Sequence, residues 1–408
     1  MEQLLGSPTR GVSVSQATDV YYDPYDVEIS ADPYPVFRRL RDEAPLYYNE
    51  THDFYALSRA DDVEYGLSDR EHFSNARSDV LEFIKAGVEF PSGIFIFEDP
   101  PLHTVHRGLI ARVFTPKKMA ALEPQVREYC VRSLDALAGN GGFDFVTDLG
   151  AQVPMRVMGM LLGIPENEQE LVRDHAISGI ATEPGKPITD MSGLSGDLFA
   201  TYIDWRAEHP SDDIMTTLLK VEFEDETGTT RRLAREEILT YVNIIAAAGN
   251  ETTTRLIGWM GKVLADNPDQ RRVLVDDPTL APNAIEELLR YEPPGPCIAR
   301  FVVRDTEFHG QTVPAGSALL CIAAAANRDE RRFPDPDRFD VRRKPGGHFT
   351  FSHGIHFCLG ASLARLEGRV VLEEVLKRFP EWTVDEAAAK LTSSSTVRGW
   401  ESLPVSVP

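Results

Sequence analysis

The sequence predicts a mainly α-helical fold with small β-sheets, built as one large folding unit. Three observations carry this expectation. Apolar residues recur at helical spacing through most of the 408 residues. Strand-like runs are short and scattered, which is inconsistent with a repeating βαβ pattern. No Pro/Gly/Ser-rich linker and no repeat of fixed period divides the chain, so residues 1–408 are expected to form a single domain, with residues 1–20 a loose N-terminal tail.

The elements follow in chain order. "PYPVFRRLRDEAP" reads as an early helix, "KKMAALEPQVREYCVRSLDALAG" as one after Pro116, and "ASLARLEGRVVLEEVLKRFP" as one near the end, each punctuated by Pro or Gly. Strands are expected at "DFYALSR", "IARFVVR", "TEFHGQTVPAGSALLCI" and "LPVSV". The longest element is a helix from about Ala234 to Asp266, free of proline and stopped at Asn267-Pro268. At 1.5 Å per residue it is a rod of roughly 50 Å. Its middle, "AAAGNETTT", breaks the propensity rules. Gly249, Thr252, Thr253 and Thr254 are poor helix formers placed where the helix should be firmest. Two readings stand: a close helix crossing, or a shallow groove at Ala248 and Gly249 for a flat ligand. In the second, the Thr252 hydroxyl lies on the same side and Glu251 is a candidate proton carrier.

Composition narrows the setting. The chain has 42 basic and 64 acidic residues, a formal charge of −22, which disfavours nucleic acid and anionic membrane as partners. No run of about 18 apolar residues occurs, so no membrane-spanning helix is expected. Four cysteines without short-range pairing, and an N-terminus unlike a signal peptide, point to a reducing, cytoplasmic location.

The most tightly specified stretch is "FSHGIHFCLG", Phe351 to Gly360. Cys358 is a candidate zinc ligand with His353 and His356, a nucleophile, a buried structural residue or a haem ligand. Zinc lacks a second ligand pair, and no hydrolase signature accompanies a nucleophile. Haem ligation suits the surroundings better. A helix begins just after Cys358, so its free N–H groups face the sulfur, and Phe351 offers an apolar cover. Gly354 and Gly360 permit tight turns and a close approach to a planar ring.

This stretch resembles the haem-binding loop of the cytochrome P-450 monooxygenases, F-x-x-G-x-x-x-C-x-G, at every fixed position. Further landmarks are similar to that family: "EELLR" with Glu287 and Arg290, "FPDPDRFD" with Arg338, "AGNETT" with Glu251 and Thr252, "DPPLHTVHR" with His103 and Arg107, and "RGWESLPV". Many bacterial relatives carry Asp where this chain has Glu251. The resemblance implies a cytochrome P-450-like fold with the long helix over the haem, and a charge cluster of Glu287, Arg290 and Arg338 behind the loop. It implies haem b with an axial thiolate from Cys358, iron being the only metal. His103, Arg107, Arg300 and His356 are then propionate partners, and Ala248, Gly249, Phe351 and Gly360 contact the ring. The implied activity is insertion of one oxygen atom of O2 into an apolar small molecule, with Glu251 and Thr252 delivering protons. No dinucleotide fingerprint is present, so electrons are expected from a ferredoxin and an NAD(P)H-dependent ferredoxin reductase. Docking is expected on basic residues Arg112, Lys117, Lys118, Arg342, Arg343, Lys344 and Arg365.

Two alternatives remain at this stage, a peroxide-dependent peroxygenase and a haem protein that binds ligands without turnover. The expected substrate pocket draws on Phe95, Phe97, Ile244, Ala248, Pro296, Ile298 and Val397, and on the segment "HAISGIATEPGKPITDMSGL". Phe83 and Phe90 are equally candidates for pocket or core.

Overall fold

The computed structural model describes residues 19–90, 92–172, 185–187, 197–344 and 346–408. Its axis is the helix Arg235–Asp266, 32 residues long. The Glu237 carboxylate accepts the Ala234 N–H at 2.6 Å and pairs with Arg231, which fixes the start. At the other end the Asn267 N–H donates to the Val263 carbonyl, and Pro268 opens the next helix. The irregular middle does not break the rod. The Thr252 and Thr254 hydroxyls donate back to the Ala248 and Asn250 carbonyls, both at 2.9 Å, so these side chains bond within the helix instead of disrupting it.

Gly249 has a steric explanation as well. A Cβ there would lie 2.6 Å from the Met158 sulfur, on the helix Val153–Leu162. The close-crossing reading therefore holds for Gly249, while its neighbour Ala248 faces open space.

The cysteine-loop helix, Ala361–Arg378, lies against the middle of the rod: a Cβ on Gly368 would come within 3.2 Å of Leu256. A single helix was expected after Pro116, but two form, Pro116–Ala120 and Glu123–Asp135. Pro124 suits the first turn of a new helix better than the interior of an old one.

The main sheet has five strands in the order Leu46–Asn49, Phe54–Leu57, Ala318–Cys321, Ile298–Val302, Phe73–Ser74. Only the pairing of Phe54–Leu57 with Ala318–Cys321 is parallel. Pro404–Ser406 pairs with both Thr383–Val384 and Gly142–Asp144. Residues 1–18 lie outside the described residues; by Val20 the chain is already in the core. No helix among the described residues is long and apolar enough to cross a membrane.

The charge cluster forms with one change of membership. Glu287 and Arg290 make a buried bidentate pair at 2.7 and 2.8 Å. The additional arginine is Arg343, whose Nε donates to Glu287 at 3.0 Å and whose other nitrogens donate to the carbonyls of Pro334, Asp335 and Arg338. Arg338 contributes only its backbone; its side chain is 67% exposed. The chain turns through Asp335, at φ 47°, and returns to bring Arg343 to Glu287.

Candidate active site

The cysteine loop is shaped by two left-handed residues, Ser352 at φ 62° and Gly354 at φ 68°. The Cys358 N–H donates to the Phe351 carbonyl at 2.8 Å, which closes the loop. Cys358 is accessible only in the sense that it faces an internal cavity. Burial raises its thiol pKa; the N–H groups of Gly360 and Ala361 and the charges of Arg107 and Arg365 oppose that rise. These donors are the free N–H groups expected at the start of the following helix. Phe351 is buried beside the sulfur, with the Arg365 guanidinium 4.6 Å from its ring centre.

The cavity holds about 340 Å³. Its walls bring together Cys358, Phe351 and Gly360 with Ala248, Gly249 and Thr252 of the long helix. A flat apolar group bound at Cys358 would therefore lie beneath the only stretch of that helix built from small residues.

One end of the cavity is made cationic by Arg107 and Arg300. Nε2 of His356 and one terminal nitrogen of Arg300 are buried there without a hydrogen-bond partner, as are both ring nitrogens of His103, which packs against His356 and does not itself line the cavity. The two imidazoles sit 4.4 Å apart, centre to centre. Burial, followed by the charges of Arg300, His103 and Arg107, lowers the His356 pKa to about 3. Burial also lowers those of His103, Arg107 and Arg300. Buried polar nitrogens without partners are costly, and a ligand carrying carboxylates at this end would accept from Arg300 and favour the protonated form of His356. Arg107 is partly engaged already, donating to the Phe357 carbonyl.

Other predicted residues divide. Phe95, Ile244 and Ile298 line the cavity; Phe97, Pro296 and Val397 do not. Phe97 packs with Ile94 and Ile244 just outside, and its ring contacts Phe90, which contacts Phe83. Pro296 borders a small separate pocket beside Tyr22 and Cys297. Val397 is spent in the turn of the C-terminal hairpin, where its N–H donates to the Ser394 hydroxyl. The segment 175–194 lies largely outside the described residues. Glu251 is not in the cavity wall; it pairs with Arg255 at 3.3 Å. Of the basic residues, Arg112, Lys117, Lys118, Arg342 and Lys344 are exposed, whereas Arg343 is tied to Glu287 and Arg365 to Glu286.

Sequence reasoning missed Asp79, Met158 and Glu367. Asp79 lines the cationic end, where burial raises its pKa against the pull of Arg300. Met158 enters the wall from another helix, and no motif marks it. Glu367 is fully buried one helical turn beyond the wall residues Leu363 and Ala364, with neither oxygen hydrogen-bonded. Burial raises its pKa to about 8.

Comparison with known proteins decides the family. The Cytochrome P-450 family model matches residues 200–403. Cytochrome P-450 monooxygenase PikC of Streptomyces venezuelae is 35% identical over 387 residues, covering 93% of this chain and 92% of its own. The chain is a cytochrome P-450. Vitamin D(3) 25-hydroxylase of Pseudonocardia autotrophica is 34% identical over 385 residues, 92% of this chain and 94% of that one. The solved structure of CYP109E1 from Bacillus megaterium in complex with testosterone superposes with a TM-score of 0.83 at 28% identity, covering 94% and 99% of the two chains. This cytochrome P-450 is thus a haem- and iron-dependent monooxygenase, an oxidoreductase of a family whose haem is held by a cysteine thiolate. The residues present fit that group: a thiol with aimed N–H donors on one wall, and at one end the guanidinium groups of Arg107 and Arg300, the latter with an orphaned nitrogen.

Proposed function

We propose that this cytochrome P-450 binds haem b through the Cys358 thiolate and hydroxylates an apolar or amphipathic small molecule, drawing electrons from a ferredoxin and its NAD(P)H-dependent reductase. One observation carries the reading. A single cavity joins Cys358, the basic residues Arg107, Arg300 and His356, and the Ala248–Thr252 stretch of the long helix. When bound, the haem supplies reductive O2 activation, favoured by the electron-donating thiolate.

The chain's own residues have separable tasks. The Gly360 and Ala361 N–H groups stabilise negative charge on Cys358 Sγ. Arg107, Arg300 and His356, with His103 packed against His356, would hold the carboxylates of the group and thereby orient it. Thr252 Oγ1, now donating to the Ala248 carbonyl, holds a proton at the cavity wall, and Glu251 on the neighbouring position recharges it. Phe95, Ile96, Ile244, Ile245 and Ile298 exclude water above it and select apolar ligands. Testosterone in the CYP109E1 complex and the vitamin D named for the Pseudonocardia relative support a substrate of fused-ring, mostly hydrocarbon character.

The test is a screen of steroid, terpenoid and fatty-acid compounds for the Soret shift of ligand binding. Hits are then incubated with NADH, a surrogate ferredoxin and its reductase. Hydroxylated product that requires all three is the expected result. Product formed with hydrogen peroxide alone, at rates the reconstituted chain does not match, would instead identify a peroxygenase.

A further inference from the structure

We propose that Glu98 is a positioning residue for ligand selection: paired with His106, it latches the segment Gly93–Glu98, which carries the cavity walls Phe95 and Ile96. This rests on the reading of the cavity as the ligand site. Both partners are buried, at 6% and 2% exposure. The Glu98 carboxylate accepts from His106 Nδ1 at 2.7 and 2.9 Å and from the Gly93 N–H at 2.7 Å. The carboxylate thus ties both ends of a six-residue turn to each other and to the helix Leu102–Ala111. Gly93, at φ 104°, takes a conformation that side chains resist.

The pair belongs to a closed circuit. The His106 carbonyl accepts from the Tyr241 hydroxyl at 3.0 Å, and Tyr241 stacks on Phe95 with ring centres 5.9 Å apart. From the carboxylate, contacts therefore run through His106 and the long helix back to the wall residue itself. Asn75 adds a bond to the Ile96 carbonyl at 3.1 Å.

Apolar packing is uneven along this segment: Phe95 belongs to the main core and Ile96 packs against it, whereas Ile94 and Phe97 form a small satellite cluster with Ile244. The satellite flanks add little apolar holding of their own, so the polar latch contributes to how firmly Phe95 and Ile96 keep their place in the wall. Burying a carboxylate is expensive unless it is paired. Here burial raises the Glu98 pKa, but the bonds from His106 and Gly93 outweigh it and the net shift is downward. The anion is the form the site favours.

The experiment uses the holoenzyme and two azole probes, imidazole and the bulky clotrimazole, titrated by Soret shift. In Glu98→Ala and His106→Phe, clotrimazole should bind about tenfold more tightly, the equivalent of one charge-assisted hydrogen bond. Imidazole should change less than about twofold on the same scale. Glu98→Gln, which keeps an acceptor for Gly93, should fall between. The double variant Glu98→Ala/His106→Phe should add nothing to either single change. An unaltered ratio of the two probes, with an intact ferrous-CO spectrum, would overturn the latch. Should a variant lose haem, hydrogen exchange decides: amides 93–98 must exchange faster in Glu98→Gln than in wild type, and equal rates refute the proposal. Wild type with no imidazole shift would refute the haem reading, leaving the exchange comparison to judge the latch.

Discussion

Glu367 should make this protein less stable as pH rises, and Glu367→Gln should remove the effect. The carboxyl is 1% exposed, and neither oxygen has a hydrogen-bond partner. Burial pushes its folded pKa up to about 8, well above the ordinary carboxylate range. A raised folded pKa means the folded state binds the extra proton. Below the unfolded pKa both states are protonated and no penalty exists. As pH climbs from there toward 8, the unfolded chain gains ionisation free energy that the folded chain cannot share. Between pH 5 and 7.5 this amounts to roughly 3 kcal/mol. Unfolding entropy of about 2.1 cal/mol/K per residue converts it to a midpoint shift of about 3 to 4 °C for a chain of this size. The assay is thermal unfolding of wild type and Glu367→Gln, compared within each pH so that other titrations cancel. Glutamine should be stabilising at pH 7.5 by that margin over its effect at pH 5. A difference between the two proteins that is the same at both pH values would refute the reasoning.

Three further outcomes follow from the geometry. Thr252→Ala should leave haem content and ligand-induced spectral shifts intact while diverting NADH-derived electrons into peroxide; product formed per NADH is the readout, and an unchanged yield returns Thr252 to a packing role. Arg343→Ala should destabilise by about 3 kcal/mol or more, because it strands part of a buried carboxylate, whereas Arg338→Ala should stay within about 0.5 kcal/mol; denaturant midpoints separate them. Lys117→Glu combined with Lys118→Glu should slow reduction by an acidic ferredoxin at low salt and lose that effect at high salt, while Arg343→Glu should act through stability instead; stopped-flow reduction rates against ionic strength are the check.

Much of the site was legible because chemistry forced local rules. A thiolate ligand needs a turn followed by a helix start, and both fall within ten consecutive residues, so Cys358, Phe351 and Gly360 could be read together. The long helix was legible from its uninterrupted periodicity, to within one residue at its start. What failed depended on direction rather than pattern. Arg338 and Arg343 lie in one loop, and which of them reaches Glu287 is settled by the path of that loop, which no motif records. Phe95 and Phe97 are two residues apart on one short turn, so they point to different sides and only Phe95 meets the cavity. Met158 and Glu367 carry no motif: one is placed by a helix crossing and the other by burial, both products of the tertiary fold. The Glu98–His106 pair is local in sequence, yet a carboxylate and an imidazole eight residues apart say nothing until a loop folds back between them.

The central claim is that Cys358, as thiolate, holds the haem of this cytochrome P-450. The most direct measurement is the ferrous-CO difference spectrum of the purified holoprotein beside that of Cys358→His. Wild type should show the red-shifted Soret band of thiolate ligation, and the variant should bind haem with an unshifted band. A wild-type spectrum lacking that band in folded, haem-replete protein, or a variant that retains it, would contradict the assignment.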